Sequence, residues 1–171
     1  MKIFRDNPNA EIPAFATEGS ACFDIKACFS LGEKIVAYNP QNKKIQLPVK
    51  QLSNSQVPAV QIHPMHRVLV PTGLIFDIPD EHVLEIFIRS SMALKNGVCL
   101  ANGTAIIDSD YVNQTYVLIH NVSDILLNIY HGDRIAQGKL VQLLKYELSE
   151  TDTRPEQKTS RDGGMGSTGT N

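Results

Sequence analysis

From residue 67 to residue 148 the chain is cut every few positions by turn chemistry, so no apolar run grows longer than a strand. "RVLVPTGLIFDIP" (67–79) alternates and is broken by Pro71 and Gly73. "HVLEIFIRS" (82–90) puts Val83, Glu85, Phe87 and Arg89 on one face and Leu84, Ile86 and Ile88 on the other, the period of two that a half-buried strand needs. "QTYVLIHN" (114–121), "DILLNIY" (124–130) and "RIAQGKLVQLLKYEL" (134–148) follow, with turn signals at 121–124 and 131–133. Short strands at close, even spacing predict an all-β fold, a sandwich or a jelly-roll-like distorted barrel. The one helix candidate is a turn or two at "SSMALKNG" (90–97), with Ser90 as its cap and Gly97 as its end.

The chain has 171 residues, enough for one domain with its own core. The β domain is expected over 1–148. Two stretches stand apart by composition. Residues 33–60 are rich in Asn, Gln, Lys and Pro and read as an excursion from the barrel, with a hairpin around 44–49. Residues 149–171 are polar and rich in Gly, Ser and Thr, the composition of a frayed tail, although its Arg161 followed by glycines and hydroxyls is a set that can wrap a phosphate. A net charge of −2 argues against a duplex nucleic-acid partner. The N-terminus lacks the apolar core of a signal peptide, and no stretch approaches the roughly 18 apolar residues of a membrane helix. Cys22, Cys28 and Cys99 are odd in number and lack metal-type spacing, which fits free thiols in a reducing compartment. The expected location is cytoplasmic, with no membrane partner.

Four stretches carry candidate chemistry. "AIIDSDY" (105–111) ends an apolar run on carboxylates and a tyrosine. A turn at Ser109 and Asp110 would bring Asp108 and Tyr111 to one pocket, where an ionised Asp could take a proton from water; a plain solvated turn is the competing reading. Arg89, Ser90 and Ser91 stand at the expected helix start, a place that favours anions, although a capped short helix explains them too. Gln137 in "GDRIAQ" (132–137) and Asp24 in "GSACFDIKA" (19–27) are lone polar groups inside apolar strands.

Taken together and in chain order, these stretches resemble the five motifs of the trimeric deoxyuridine triphosphatase (dUTPase) family. "ATEGSACFDIKA" (16–27) resembles the first, "RSSMALKNG" (89–97) the second and "NGTAIIDSDY" (102–111) the third, which is the most specific. "GDRIAQ" resembles the fourth and "RDGGMGSTG" (161–169) the fifth. "VPTGL" (70–74) stands where the family has it, ahead of the second motif.

The resemblance implies a homotrimer of jelly-roll subunits with active sites built from several chains. The implied reaction is hydrolysis of dUTP to dUMP and pyrophosphate by water attack on the α-phosphorus, with Mg²⁺ on the triphosphate. That activity limits uracil in DNA and supplies dUMP for thymidylate synthesis. It casts Asp108 as the base that activates water and Tyr111 as the ring packed under the deoxyribose. Asn102, with backbone groups from Gly103 to Ile106 and Ile107, matches a hairpin that reads uracil. Arg89, Ser90, Ser91 and Gln137 match phosphate contacts. Arg161, Ser167 and Thr168 match the arm that closes over the nucleotide. Asp24 has two roles open: meeting Mg²⁺ through water, or orienting an arginine. The chain departs from the family at Met165, where a phenylalanine usually stacks on the base, and in a fifth motif one residue short. Two rivals remain. One is a relative that deaminates dCTP, which would need a glutamate at the base. The other is a nucleotide-sensing regulatory module that grips a protein partner through residues 33–60.

Overall fold

The computed structural model describes residues 1–53 and 55–160. Fourteen strands and one helix are found among them. The centre is a five-stranded sheet and a four-stranded sheet. The first has the order β10 (Val98–Leu100), β12 (Tyr116–Asn121), β7 (Arg67–Pro71), β3 (Lys34–Tyr38) and β4 (Lys44–Pro48). The second has the order β11 (Ala105–Ile107), β9 (His82–Ile88), β14 (Arg134–Gln142) and β2 (Phe23–Lys26). Two smaller sheets flank them. One pairs β1 (Lys2–Arg5) with β8 (Leu74–Asp77); the other has the order β13 (Leu127–Tyr130), β6 (Pro58–Ile62) and β5 (Lys50–Gln51). Most neighbours in the two central sheets are not consecutive in the chain, and all pairings are antiparallel, which is the jelly-roll-like arrangement expected. No helix of the described residues is long and apolar enough to cross a membrane.

Alternation builds this fold. In β12 the side chains of Val117, Ile119 and Asn121 are buried while Tyr116, Leu118 and His120 lie nearer the surface. Val68 and Val70 of β7 do the same, so two neighbouring strands point a shared face inward. These join Leu84, Ile86, Ile25 and Ile135 in one continuous core. Helix α1 (Ser90–Asn96) ends at Gly97, whose φ of 60° and ψ of 47° are left-handed. A Cβ there would lie 2.8 Å from the Cβ of Ser123, so only glycine fits.

Three expectations are corrected. Ser90 does not cap the helix: it is the first helical residue, Arg89 takes the N-cap position, and there is no side-chain cap bond. Residues 33–60 are no excursion. β3 pairs with β7 and β4 pairs with β3, so the first part of the segment completes the five-stranded sheet, and β5 and the start of β6 join the three-stranded one. Ile35, Ala37, Leu47 and Val49 are buried in the core. The polar residues that suggested an excursion are its turn, where Asn39 Oδ1 accepts from the amides of Gln41 (3.1 Å) and Lys43 (2.9 Å). Finally, the last strand stops at Gln142 instead of reaching 148: its ladder with β9 ends at His82, and beyond it the Leu143 amide donates to the carbonyl of Glu81 (2.7 Å), where the partner backbone is left-handed (φ 61°).

Candidate active site

The structure gathers part of the expected site into one cleft of about 410 Å³, at the end of the four-stranded sheet where β9 runs into α1. Asp24 stands opposite Gln137 in the β2–β14 pairing, and Gln137 stands opposite Phe87 on its other side. Arg89 follows β9 directly. Its Nε donates to Asp24 Oδ1 at 2.8 Å, and an Arg134 guanidinium N–H donates to Asp24 Oδ2 at 3.1 Å. Asp24 is thus shared by two arginines, the arrangement that an arginine-orienting role requires. Two guanidinium groups against one carboxylate leave a net positive charge beside Ser90 and Gln137, a suitable lining for an anion. Ser91 is half-buried and does not line the cleft. The sequence alone does not mark Arg134 as a companion of Arg89. Its position after the tight turn at 131–133 was visible, but its partnership with a carboxylate 110 residues away was not.

Asp108 and Tyr111 come together elsewhere. Asp108 directly follows β11, and the Tyr111 amide donates to the Asp108 carbonyl at 3.2 Å, closing a turn through Ser109 and Asp110 as expected. Asp108 is exposed. Tyr111 is 37% exposed, and its hydroxyl donates to the Gln114 carbonyl at 2.9 Å. Asn102 and Gly103 are exposed in the loop between β10 and β11, with Ile106 outward and Ile107 against the core. That loop is not a ladder-paired hairpin. β10 pairs with β12 and β11 with β9, so residues 101–104 cross from one central sheet to the other. Arg161, Met165, Ser167 and Thr168 lie outside the described residues.

The two groups are far apart in one chain. Ile107 pairs with Leu84, five residues before Arg89 along β9, or about 16 Å at ~3.3 Å per residue. Asp24 lies three strands across the sheet from β11, another ~14 Å at ~4.8 Å per strand.

This combination can be set against known proteins. The dUTPase family model matches residues 55–169. The chain belongs to the dUTPase family. It is 33% identical over 169 residues to the deoxyuridine 5'-triphosphate nucleotidohydrolase of Caulobacter vibrioides, covering 99% of this chain and 92% of that one. It is 33% identical over 170 residues to the enzyme of the same name from Wolinella succinogenes, covering 99% and 93%. Among solved structures, a dUTPase from Streptococcus mutans superposes with a TM-score of 0.63 at 23% identity, over 85% of this chain and 97% of that one. A mutant dUTPase of Staphylococcus bacteriophage 80alpha, solved with dUpNHpp, reaches 0.72 at 18% identity over 99% and 98%. The family match includes the stretch of the fifth motif.

Proposed function

We propose that this chain hydrolyses dUTP to dUMP and pyrophosphate, limiting uracil in DNA and supplying dUMP for thymidylate synthesis, at sites formed where copies of a homotrimer meet. The observation that carries the shared site is the separation of its halves. Asp108 and Tyr111 stand at one corner of the four-stranded sheet, and the Arg89–Asp24–Arg134 group stands at the other. A nucleotide triphosphate cannot bridge them within one chain. Bringing the Asp108 corner of one subunit against the cationic cleft of another completes a site.

In that site the Asp108 carboxylate, exposed and free to hold water, takes the proton as water attacks the α-phosphorus. The Tyr111 ring packs under the deoxyribose and leaves no room for a 2′-hydroxyl. Asn102 and the backbone from Gly103 through Ile106 and Ile107 face the base. Arg89, Arg134, Ser90 and Gln137 hold the phosphates, with Ser91 behind them. Arg161, Ser167 and Thr168 close over the triphosphate, with Met165 toward the base. Mg²⁺ carried on the triphosphate would supply charge neutralisation at the phosphate oxygens, and Asp24, whose oxygens each keep a second lone-pair site beside the arginine bonds, would meet it through water.

Two measurements test this. Pyrophosphate and dUMP should form from dUTP, with no ammonia from dCTP; ammonia from dCTP would favour the deaminase reading. Mixing refolded Asp108→Asn subunits with Arg89→Ala subunits should regain activity that neither has alone, because some mixed sites draw both intact residues from different chains. No regain would rule out a shared site.

A further inference from the structure

The Tyr111 ring is poorly held by burial, since Val112 beside it is 68% exposed and Asn113 is exposed as well. What fixes its outer end is the hydrogen bond from its hydroxyl to the Gln114 carbonyl. The stability of that carbonyl therefore sets where the ring lies.

Residue 114 is itself clamped by its side chain. Gln114 Nε2 donates to Asp6 Oδ2 at 3.1 Å, and the Gly73 amide donates to Gln114 Oε1 at 3.3 Å. Asp6 is tied to the same glycine, because the amides of Asp6 (3.0 Å) and Asn7 (3.1 Å) both donate to the Gly73 carbonyl. The circuit joins segments 108 and 41 residues apart in sequence. It continues inward through buried Thr115, whose amide donates to the Leu74 carbonyl at 2.8 Å and whose carbonyl accepts from Thr72 Oγ1 at 2.6 Å. "VPTGL" (70–74), which the phosphate and base contacts leave without a role, is thus the wall that Gln114 and Thr115 are pinned to. The Tyr116 hydroxyl is pushed above its ordinary value by burial and then by Tyr111 and Asp6, which places all three groups in one neighbourhood.

We propose that Gln114 is a positioning residue of the sugar pocket: its side-chain amide, held between Asp6 and the Gly73 amide, locks the carbonyl that anchors Tyr111 and so sets discrimination between deoxyribose and ribose. This rests on the reading that Tyr111 packs under the sugar. The clamp needs a donor and an acceptor on one planar end, which glutamine has. Glutamate lacks the donor and would set a second carboxylate against Asp6.

The test is the ratio of kcat/KM for dUTP over UTP, because a loss of folded enzyme scales both substrates alike and leaves the ratio unmoved. Gln114→Glu should lower it about tenfold, the scale of one unpaired polar group. Tyr111→Phe, which removes only the tether's donor, should lower it by a similar factor, and the two together should do little more. The exchanged pair Asp6→Asn with Gln114→Glu restores one donor facing one acceptor and should recover the wild-type ratio. Should Gln114→Glu alone fail to fold, the exchanged pair and Tyr111→Phe decide the matter. A lowered ratio in the exchanged pair, or an unchanged ratio in Tyr111→Phe, overturns the proposal. Tyr111→Ala separates the two levels. If it collapses the ratio while Gln114→Glu leaves it intact, the positioning role is wrong; if Tyr111→Ala itself leaves the ratio unchanged, the sugar-packing reading is wrong.

Discussion

The two corners of the four-stranded sheet are built by opposite means. At the cleft, Asp24, Arg89 and Arg134 arrive from three distant stretches and hold one another by charge. At the other corner, Asp108 and Tyr111 are three residues apart and are held by main-chain groups, a turn amide and a peptide carbonyl. The difference predicts how each fails. The cleft should be sensitive to the charge of its side chains. The turn should tolerate loss of charge in its geometry while losing its chemistry.

Asp108→Asn is the sharpest way to break the comparison. The turn uses the Asp108 carbonyl and not its side chain, so fold and nucleotide binding should survive. The rate should fall roughly 10²–10⁴-fold with the loss of a general base. Single-turnover rates alongside equilibrium binding of a dUTP analogue check both halves, and near-normal turnover would remove Asp108 from the mechanism.

Asp24→Asn should act at the other corner and more mildly. It keeps the shape of the side chain but leaves Arg89 and Arg134 without their shared anion. We expect kcat/KM for dUTP to drop about tenfold to a hundredfold, mostly through KM, the scale of a hydrogen bond to a charged group. Equal KM in the variant would mean that the arginines are oriented by something else.

The same contrast explains what could be read from the chain. Local signals were legible: the alternation of β9, Gly97 as a helix end, and the turn after Asp108. Asp24 was visible as an odd carboxylate, but nothing near it in sequence names Arg89 or Arg134, since strand register alone brings them together. The hairpin at 102–107 was implied by the family resemblance alone, and the pairing of each flank with a different sheet shows a crossing loop instead. Residues 143–148 keep a strand-like pattern, yet the ladder with β9 ends at Gln142 and His82, and Leu144, Tyr146 and Leu148 are left almost fully exposed. Pattern reports what a segment could do, and the partner decides whether it does.

Stability should divide along the same line. Gly73 supports the turn side, with φ at 67° and a would-be Cβ 2.9 Å from Ala10 Cβ, Asn7 Cβ and Cys28 Sγ. Gly73→Ala should cost about 2–4 kcal/mol, from a left-handed backbone and overpacking together. Thermal melting checks this, and a Tm within a degree of wild type would show that the N-terminal segment yields easily.

The smallest effect is in the response to alkali. The turn side holds two groups whose titration is shifted on folding. Burial and then Glu33 push the Cys28 thiol up, and burial, Tyr111 and Asp6 push the Tyr116 hydroxyl up. Both stay protonated in the folded chain at pH values where the unfolded chain releases them. Their contribution is therefore fully present below the ordinary thiol and phenol values, near pH 9 and pH 10, and is lost as pH rises through the folded values. Chemical denaturation at pH 8, 9, 10 and 10.5 should show stability falling on this limb. Tyr116→Phe should flatten its upper part and Cys28→Ala its lower part, whatever each does to stability at pH 8. An alkaline limb with the same slope in both variants would move the titrating groups away from the turn side and leave the two corners alike in this respect.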